Sequence, residues 1–158
     1  MQYHLRSATV QDIHHIQALF LEMLQSIYGN TDVTGYKDGD LDHYFSGGED
    51  WICVADVGGT VAGFLSIQVH REDKPFLYLD DFCVAFPYRG NGIGSALLTS
   101  AEAFATSIGV RNIKLHVESG NHTARAFYDN RSFRELHKDD SRLCLGKELA
   151  SEQSRCLE

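Results

Sequence analysis

The stretch "FCVAFPYRGNGIGSALL", residues 82–98, joins the end of an apolar, strand-like run to the start of a helical pattern. Three glycines alternate through its middle, at Gly90, Gly92 and Gly94, directly after Arg89. Glycine lets a backbone turn tightly, and its N–H groups can approach a ligand without a Cβ atom in the way. Because such N–H groups would converge at the positive end of the following helix, the stretch predicts a binding site for a phosphate group.

Two familiar phosphate-binding loops do not fit this stretch. A nucleoside triphosphate loop ends in Lys-Ser or Lys-Thr, and neither pair occurs in the chain. A dinucleotide loop needs G-x-G-x-x-G, whereas the spacing from Gly90 is G-x-G-x-G-S. The stretch also follows an antiparallel hairpin pattern, whereas a dinucleotide loop usually follows an early strand.

The rest of the chain predicts a mixed α/β fold. A first strand precedes an amphipathic helix that begins after Thr9 and ends at Gly29. A short helix is expected around Leu41–Phe45, and two β-rich runs form a hairpin at Gly58. One strand–helix–strand crossover spans residues 76–118, and a short helix and two strands close the chain.

Length and composition indicate one acidic domain, predicted over residues 1–149, with a C-terminal tail over residues 150–158. No apolar run approaches the roughly 20 residues of a membrane span. The first ten residues lack the apolar core of a signal peptide, so a cytoplasmic location without membrane partners is expected. The formal net charge of −8 disfavours nucleic acid as a partner and fits a cationic substrate.

Arg89–Gly94 matches R/Q-x-x-G-x-G/A, the signature of the GCN5-related N-acetyltransferases (GNAT), and the match extends through the flanking residues. The segment "NHTARAFYDNRSF", Asn121–Phe133, resembles the second family motif, N-x-x-A-x-x-[FL]-Y-x-x-x-G-F, with Ser132 where glycine is usual. The resemblance covers nearly the whole chain. It implies the GNAT fold, a twisted mixed sheet of six to seven strands with about four helices on both faces.

The resemblance also implies that acetyl-coenzyme A is the co-substrate. Its pyrophosphate would lie on the glycine loop, and its pantetheine arm would pair with the backbone of the strand before the loop. The cofactor-binding residues implied in this way are Phe82, Cys83, Val84, Arg89, Gly90, Asn91, Gly92, Ile93, Gly94, Ser95, Asn121 and Tyr128. Two roles stay open, because Arg89 either touches phosphate or stacks on Tyr88, and Asn121 either reaches the pantetheine arm or caps its helix.

Acetyl transfer to an amine needs a neutral amine and a protonated leaving thiolate, but an alkyl amine with a pKa near 10.4 is almost wholly protonated at pH 7. By resemblance, Tyr128 is the general acid that protonates the coenzyme A sulfur. The stretch "FLYLDDFCVAFPYRGNGIGS" is similar to the polyamine and thialysine acetyltransferase branch, where the first of two carboxylates is the proposed base, acting through water. That role carries over to Asp80, with Asp81 in reserve.

The predicted function is therefore transfer of an acetyl group to a primary amine of a small cationic acceptor, such as a polyamine, a thialysine-like amino acid or an aminoglycoside. Attack would be direct within a ternary complex, and family habit implies a homodimer. Two alternatives are a protein or peptide N-acetyltransferase and a non-catalytic acyl-coenzyme A sensor. The acidic segment over residues 31–50 weighs against an open peptide groove, and retention of Tyr128 and a strand carboxylate weighs against a sensor.

Histidine is abundant, but the sequence predicts no metal site. The neighbouring His14 and His15 face different ways on a helix. His116 and Glu118 share one face of a predicted strand, but no third ligand is apparent beside them.

Overall fold

The computed structural model describes residues 1–150. Within it the chain divides into two compact units. The first consists of Met1–Gln68 and Asp81–Ala101, and the second of Val69–Asp80 and the described residues from Glu102 onward. All of the predicted tail except Ala150 lies outside the described residues.

Within residues 1–150, seven strands form one mixed sheet in the order β1-β2-β3-β4-β5-β7-β6. The strands are β1 His4–Ser7, β2 Trp51–Val57, β3 Thr60–His70, β4 Phe76–Val84, β5 Asn112–Glu118, β6 Arg134–Asp139 and β7 Arg142–Glu148. The helices are α1 Ile13–Tyr28, α2 Ile93–Ser107 and α3 His122–Asp129, with 3-10 turns at Val10–Asp12, Asp42–Tyr44 and Phe86–Tyr88. The predicted fold class is confirmed.

The helix expected around Leu41–Phe45 is only the 3-10 turn Asp42–Tyr44, so residues 1–150 contain three α-helices where about four were expected. This turn already places Leu41, Tyr44 and Phe45 against the core of the first unit. No helix in residues 1–150 combines the length and the apolar character that a membrane crossing requires.

The first unit has a buried core formed by α1, β2, β3 and the end of β4. Its members are Ile16, Leu19, Leu41, Ile52, Val54, Val61, Phe64 and Cys83. Full burial of one large aliphatic or aromatic side chain stabilises a fold by about 1.5–3 kcal/mol. Helix α1 ends at Gly29, whose φ of 67° lies in the left-handed region that favours glycine.

An ionic cluster holds β1 to the start of α1 and to β2. The Arg6 guanidinium donates to the Asp12 carboxylate at 2.7 Å and to the Asp56 carboxylate at 2.9 Å. Hydrogen bonding to Arg6 lowers the pKa of Asp12, which also accepts from the Thr9 N–H at 2.8 Å. Because both carboxylates are buried, Arg6 supplies the positive charge that keeps them ionised there.

Strands β3 and β4 approach each other closely at Gly63. A Cβ atom at Gly63 would lie 2.9 Å from the carbonyl oxygen of Cys83 and 3.3 Å from the Cα of Val84. Both of these are backbone atoms, so no side-chain rotation can relieve the contact. The close approach fixes the part of β4 that leads into the glycine loop.

The second unit is built around the parallel pairing of β4 with β5. Phe76–Leu79 pairs with Asn112–Leu115, and β5 then pairs with β7, which pairs with the edge strand β6, both antiparallel. The buried aliphatic residues of these strands are Leu77, Leu79, Ile113, Leu115, Val117, Leu143 and Leu145. The Lys147 ammonium donates to the Glu102 carboxylate at 2.6 Å, which ties β7 to the end of α2.

We expect Gly63→Ala to lower the free energy of unfolding by about 1–3 kcal/mol, because the added methyl group forces β3 and β4 apart. Urea unfolding with an unchanged m value measures the loss. The matched control is Gly48→Ala, where a Cβ atom would meet nothing within 4 Å and the change should stay within about 0.5 kcal/mol. Equal effects of the two substitutions would contradict the close approach.

Candidate active site

The glycine loop connects the end of β4 to the start of α2 in the first unit. Gly90 and Gly92 have φ values of 79° and 80°, a backbone region that other residues adopt only at a cost. A Cβ atom at either glycine would meet nothing within 4 Å, so this side of the loop backbone is open. The loop from Arg89 to Gly92 is exposed and can receive a ligand without displacing a packed side chain.

Two side chains brace the loop from within. The Arg89 Nε donates to the Val84 carbonyl at 2.9 Å, and its guanidinium lies 5.7 Å from the centroid of the Phe86 ring. The Asn91 side-chain amide donates to the Tyr88 carbonyl at 3.1 Å. The aromatic contact of Arg89 is therefore with Phe86, where the sequence suggested Tyr88.

The first turn of α2 supplies backbone donors beside the loop. The Ala96 N–H donates to the Gly92 carbonyl at 3.0 Å, which sets the start of the helical hydrogen bonds. The N–H groups of Ile93 and Gly94 precede this bond in the first turn of the helix. Since Ile93 is 1% exposed, its burial anchors the turn while the N–H groups stay at the helix end. This arrangement suits a phosphate group, because the helix dipole adds positive potential there.

Asp81 is held in place by two residues of the first unit. The fully buried Ser66 hydroxyl accepts from the Asp81 N–H at 2.9 Å and donates to its carbonyl at 3.4 Å. The Tyr36 hydroxyl donates to the Asp81 carboxylate, and the Tyr36 ring stacks on Phe20 with centroids 4.2 Å apart. Asp81 thus fastens the segment after α1 to β4.

Asp80 precedes Asp81 on β4, falls in the second unit and is exposed. Successive strand residues point to opposite faces, so the two carboxylates serve different surroundings. Burial raises the pKa of the neighbouring Tyr78, and the Asp80 carboxylate adds to that rise. Of the two adjacent acids, Asp80 is the more exposed.

The remaining predicted cofactor strand, Phe82–Val84, lies in the first unit. Cys83 is 5% exposed, and its thiol lies 3.6 Å from the Leu19 carbonyl. Burial raises the pKa of Cys83 to about 12, so its thiol stays protonated at pH 7. The side chain of Cys83 is a core residue, and only its backbone remains for contact with a cofactor.

Tyr128 and Asn121 belong to α3 in the second unit. Tyr128 is 9% exposed, and its ring makes edge contacts with Phe127 and Phe133 at centroid distances of 5.3 and 5.5 Å. Burial raises the pKa of Tyr128 to about 12, so the hydroxyl keeps its proton at pH 7. The Asn121 side chain accepts from the Ala124 N–H at 3.1 Å and caps α3, which is one of its two expected roles.

Residues 13–133 match the model of the acetyltransferase (GNAT) family. The chain belongs to this family. Within the chain, the first unit carries the glycine loop and Asp81, and the second carries Asp80, Asn121 and Tyr128.

Similar proteins agree with this assignment. The uncharacterised N-acetyltransferase YycN of Bacillus subtilis (strain 168) is 36% identical over 78 residues, covering 48% of this chain and 49% of that protein, about half of each. The PaiA N-acetyltransferase of Thermoplasma acidophilum, in complex with coenzyme A, has a TM-score of 0.78 at 18% identity over 94% of this chain and 99% of that one. Arabidopsis thaliana Naa50, with the bisubstrate analogue CoA-Ac-MVNAL, has a TM-score of 0.74 at 19% identity over 94% and 100%.

These findings confirm the predicted family, fold and enzyme class. The protein is an acyltransferase of the GNAT family. The solved structures named above are less than 25% identical to this chain, so they establish its fold and not its acceptor.

Sequence reasoning missed Ser66 and Tyr36. Ser66 is the polar residue within the buried run of β3, and this isolated hydroxyl was a usable signal, because a buried polar group needs a partner. Tyr36 gave no such signal, since it lies 45 residues from Asp81 in an irregular segment.

Ser132, which stands where the family motif has glycine, adopts a left-handed backbone conformation that favours glycine. Ser132 has a φ of 69°, and the turn is closed by the Phe133 N–H, which donates to the Tyr128 carbonyl at 3.1 Å. The turn after α3 therefore keeps its geometry despite the serine. The cost of a left-handed residue with a side chain is about 1–2 kcal/mol.

We expect Ser132→Gly to raise the free energy of unfolding by about 1 kcal/mol, because glycine adopts this φ without strain. Thermal unfolding at fixed pH checks the gain.

The matched control is Asn130→Gly in the same turn. Asn130 has an ordinary helical φ of −64°, so glycine there should destabilise by about 0.5–1 kcal/mol through its greater freedom in the unfolded chain. A loss of stability in Ser132→Gly would mean that the serine side chain supports the turn.

Proposed function

We propose that this GNAT enzyme transfers the acetyl group of acetyl-coenzyme A to a primary amine of a small cationic acceptor, by direct attack within a ternary complex. The observation that carries the proposal is the glycine loop, with two left-handed glycines open to solvent at the start of the 15-residue helix α2. Each charge-assisted hydrogen bond from its N–H groups to a pyrophosphate is worth about 1.5–3 kcal/mol.

In the proposed reaction the amine nitrogen forms a bond to the thioester carbon, and the bond from that carbon to sulfur breaks. The Tyr128 hydroxyl donates its proton to the departing thiolate. Burial raises the pKa of Tyr128 to about 12, so the proton is present at pH 7 and the hydroxyl cannot act as a base there. The backbone N–H groups of Phe82–Val84 would polarise the thioester carbonyl.

Asp80 is the proposed group that receives the amine. Its exposure favours attraction of the ammonium, with the proton leaving through water, over direct proton abstraction. Asp81 is less suited to this task because its carboxylate already accepts from Tyr36.

A cationic acceptor is supported by the charge of the chain. The formal net charge is −8, and the segment over residues 31–50 is acidic. Part of that acidity has local structural partners, since Asp40 accepts from the Lys37 N–H at 2.8 Å and Asp50 lies 2.8 Å from the His43 Nδ1. Asp38 and Asp42 are exposed and are the proposed contributors to acceptor attraction.

We further propose that the protein is a cytoplasmic homodimer and that its acceptor resembles those of the polyamine and thialysine branch. The paired carboxylates of β4 motivate the branch, and family habit motivates the dimer. Light scattering of the purified protein tests the dimer, and a monomer at all concentrations would contradict it.

The acceptor is tested by thiol release from acetyl-coenzyme A across polyamines, lysine analogues, aminoglycosides and short peptides. We expect release with a small cationic amine. Release with peptides alone would replace the small acceptor by a protein amino terminus. Silence across the panel, with acetyl-coenzyme A bound, would favour an acyl-coenzyme A sensor.

We expect Tyr128→Phe to lower kcat by roughly 100-fold or more, because general acid catalysis typically contributes 10²–10⁴-fold. The phenyl ring keeps the edge contacts, so the Kd for acetyl-coenzyme A should stay within about twofold of wild type. Steady-state kinetics and calorimetric titration measure the two quantities. The control is Tyr28→Phe on the exposed end of α1, and equal kcat values for both variants would remove Tyr128 as the acid.

We expect Gly92→Ala to weaken acetyl-coenzyme A binding by about tenfold or more. The methyl group occupies the open side of the loop. In addition, alanine adopts the φ of 80° found at Gly92 only at a cost of about 1–2 kcal/mol.

The matched control is Gly109→Ala after α2. Gly109 has a φ of 75° and nothing within 4 Å of a Cβ atom, so this substitution carries the same backbone strain away from the loop. Its Kd should equal that of wild type, while thermal stability falls in both variants. Equal Kd values for Gly92→Ala and wild type would exclude the loop as the pyrophosphate site.

A further inference from the structure

Three metal-ligating side chains meet on one face of the second unit. His116 on β5 pairs with Cys144 on β7, and Cys144 pairs in turn with His137 on β6. Residues directly opposite each other on neighbouring strands present their side chains to the same face. One ligand atom from each of the three residues lies within 4.8 Å of the others.

A fourth donor, Asp139, lies between the two imidazoles. Its Oδ2 oxygen is 3.3 Å from the His116 Nε2 and 3.0 Å from the His137 Nε2. The two ring nitrogens therefore converge on a single point that already attracts positive charge.

The other ring nitrogen of His116, Nδ1, also has a hydrogen-bond partner, which orients the ring. Its Nδ1 lies 2.7 Å from the Tyr78 hydroxyl. If the Nε2 binds a metal, the Nδ1–H donates to the Tyr78 oxygen. A partner of this kind fixes the tautomer and the ring orientation of metal-binding histidines.

We propose that His116, His137 and Cys144, together with Asp139, bind one zinc-class divalent cation. Two imidazoles, one thiolate and one carboxylate are a donor set that zinc prefers. The Cys144 thiol forms a bond from sulfur to the metal and releases its proton to solvent, so one proton leaves per cation bound through sulfur.

The geometry requires only a modest contraction. Zinc bonds of about 2.0–2.3 Å place tetrahedral ligand atoms roughly 3.3–3.8 Å apart, so the three donors must close by about 1 Å. His137 is 57% exposed on the edge strand and has room to rotate toward the more buried Cys144. Lys114 opposes a cation near Cys144, whereas Asp139 favours one, so the carboxylate offsets the local positive charge.

The site was not visible in the sequence because its members are far apart along the chain. Glu118, the residue considered with His116, instead accepts from the Ser141 hydroxyl at 3.0 Å. The register of β5, β7 and β6 supplies His137 and Cys144 in its place.

A bound cation would stabilise the position of the edge strand β6 in the sheet. All six residues of β6, Arg134–Asp139, are exposed, so this strand is held mainly by its pairing with β7. A metal shared by the three strands would tie β6 to β5 as well. This role is independent of the acceptor and of Tyr128.

The test uses the full chain, stripped of metal with a chelator, and Zn²⁺ added by calorimetric titration. We expect one saturable site per chain. With Zn²⁺ at 100 times its Kd, linkage should raise the Tm by about 5–10 °C. With Co²⁺ as the probe, a charge-transfer band from thiolate to cobalt should appear.

Two ligand variants and one matched control decide between this site and adventitious binding. Cys144→Ser should abolish the thiolate band. His137→Gln, at an exposed position, should raise the Kd for Zn²⁺ by at least roughly 10–100-fold, which is the cost of losing a residue that only hydrogen-bonds to a metal ligand. The control His14→Gln removes an exposed imidazole of α1 and should leave the Kd unchanged.

Because Cys144 is buried, Cys144→Ser can also disturb folding, and His137→Gln keeps the test decisive. Absence of saturable Zn²⁺ binding by the wild type would overturn the proposal. So would a His137→Gln variant with the Kd of wild type, or a thiolate band that survives in folded Cys144→Ser.

Discussion

The arrangement of β4 depends on the buried hydroxyl of Ser66. By bonding the backbone N–H and carbonyl of Asp81, this hydroxyl lets two adjacent acids interrupt a strand that is otherwise apolar. The Asp81 carboxylate accepts a hydrogen bond from the Tyr36 hydroxyl, and the Tyr36 ring stacks on Phe20 of α1. Asp80 is left facing solvent. The two acids therefore differ in their surroundings, because successive strand residues point to opposite faces.

The end of β4 also fixes where the glycine loop begins. Gly63 brings β3 against the backbone of Cys83 and Val84, so β4 has a fixed end from which the chain must turn into α2. The buried Ile93 fixes where the helix begins. Between these two anchors the chain must reverse in a few residues, and positive φ values at Gly90 and Gly92 make this possible. The backbone donors at the helix start are consequently positioned before any ligand arrives, which reduces the entropy lost on binding.

Local patterns in the sequence were enough to predict most elements, and contacts between distant residues were not. The bounds of β4 and the glycine end of α1 follow from periodicity and turn chemistry, which are local. The Tyr36–Asp81 bond joins residues 45 apart, and the grouping of His116, His137 and Cys144 depends on strand register. No local pattern encodes either. Serine itself carries no signal for the left-handed conformation of Ser132, and only the family motif, with glycine at this position, pointed to it.

Burial links the structural and the proposed chemical roles of the tyrosine and cysteine side chains. Packing against Phe127 and Phe133 removes Tyr128 from water, and the same removal raises its pKa to about 12, so the hydroxyl keeps its proton at pH 7, as a tyrosine with the ordinary pKa also does. Burial also raises the pKa of Cys83 to about 12. Since the thiolate is the nucleophile, a thiol protonated in this way is a poor carrier of an acyl intermediate. The buried, protonated thiol of Cys83 is therefore consistent with the proposed direct transfer from the thioester to the amine.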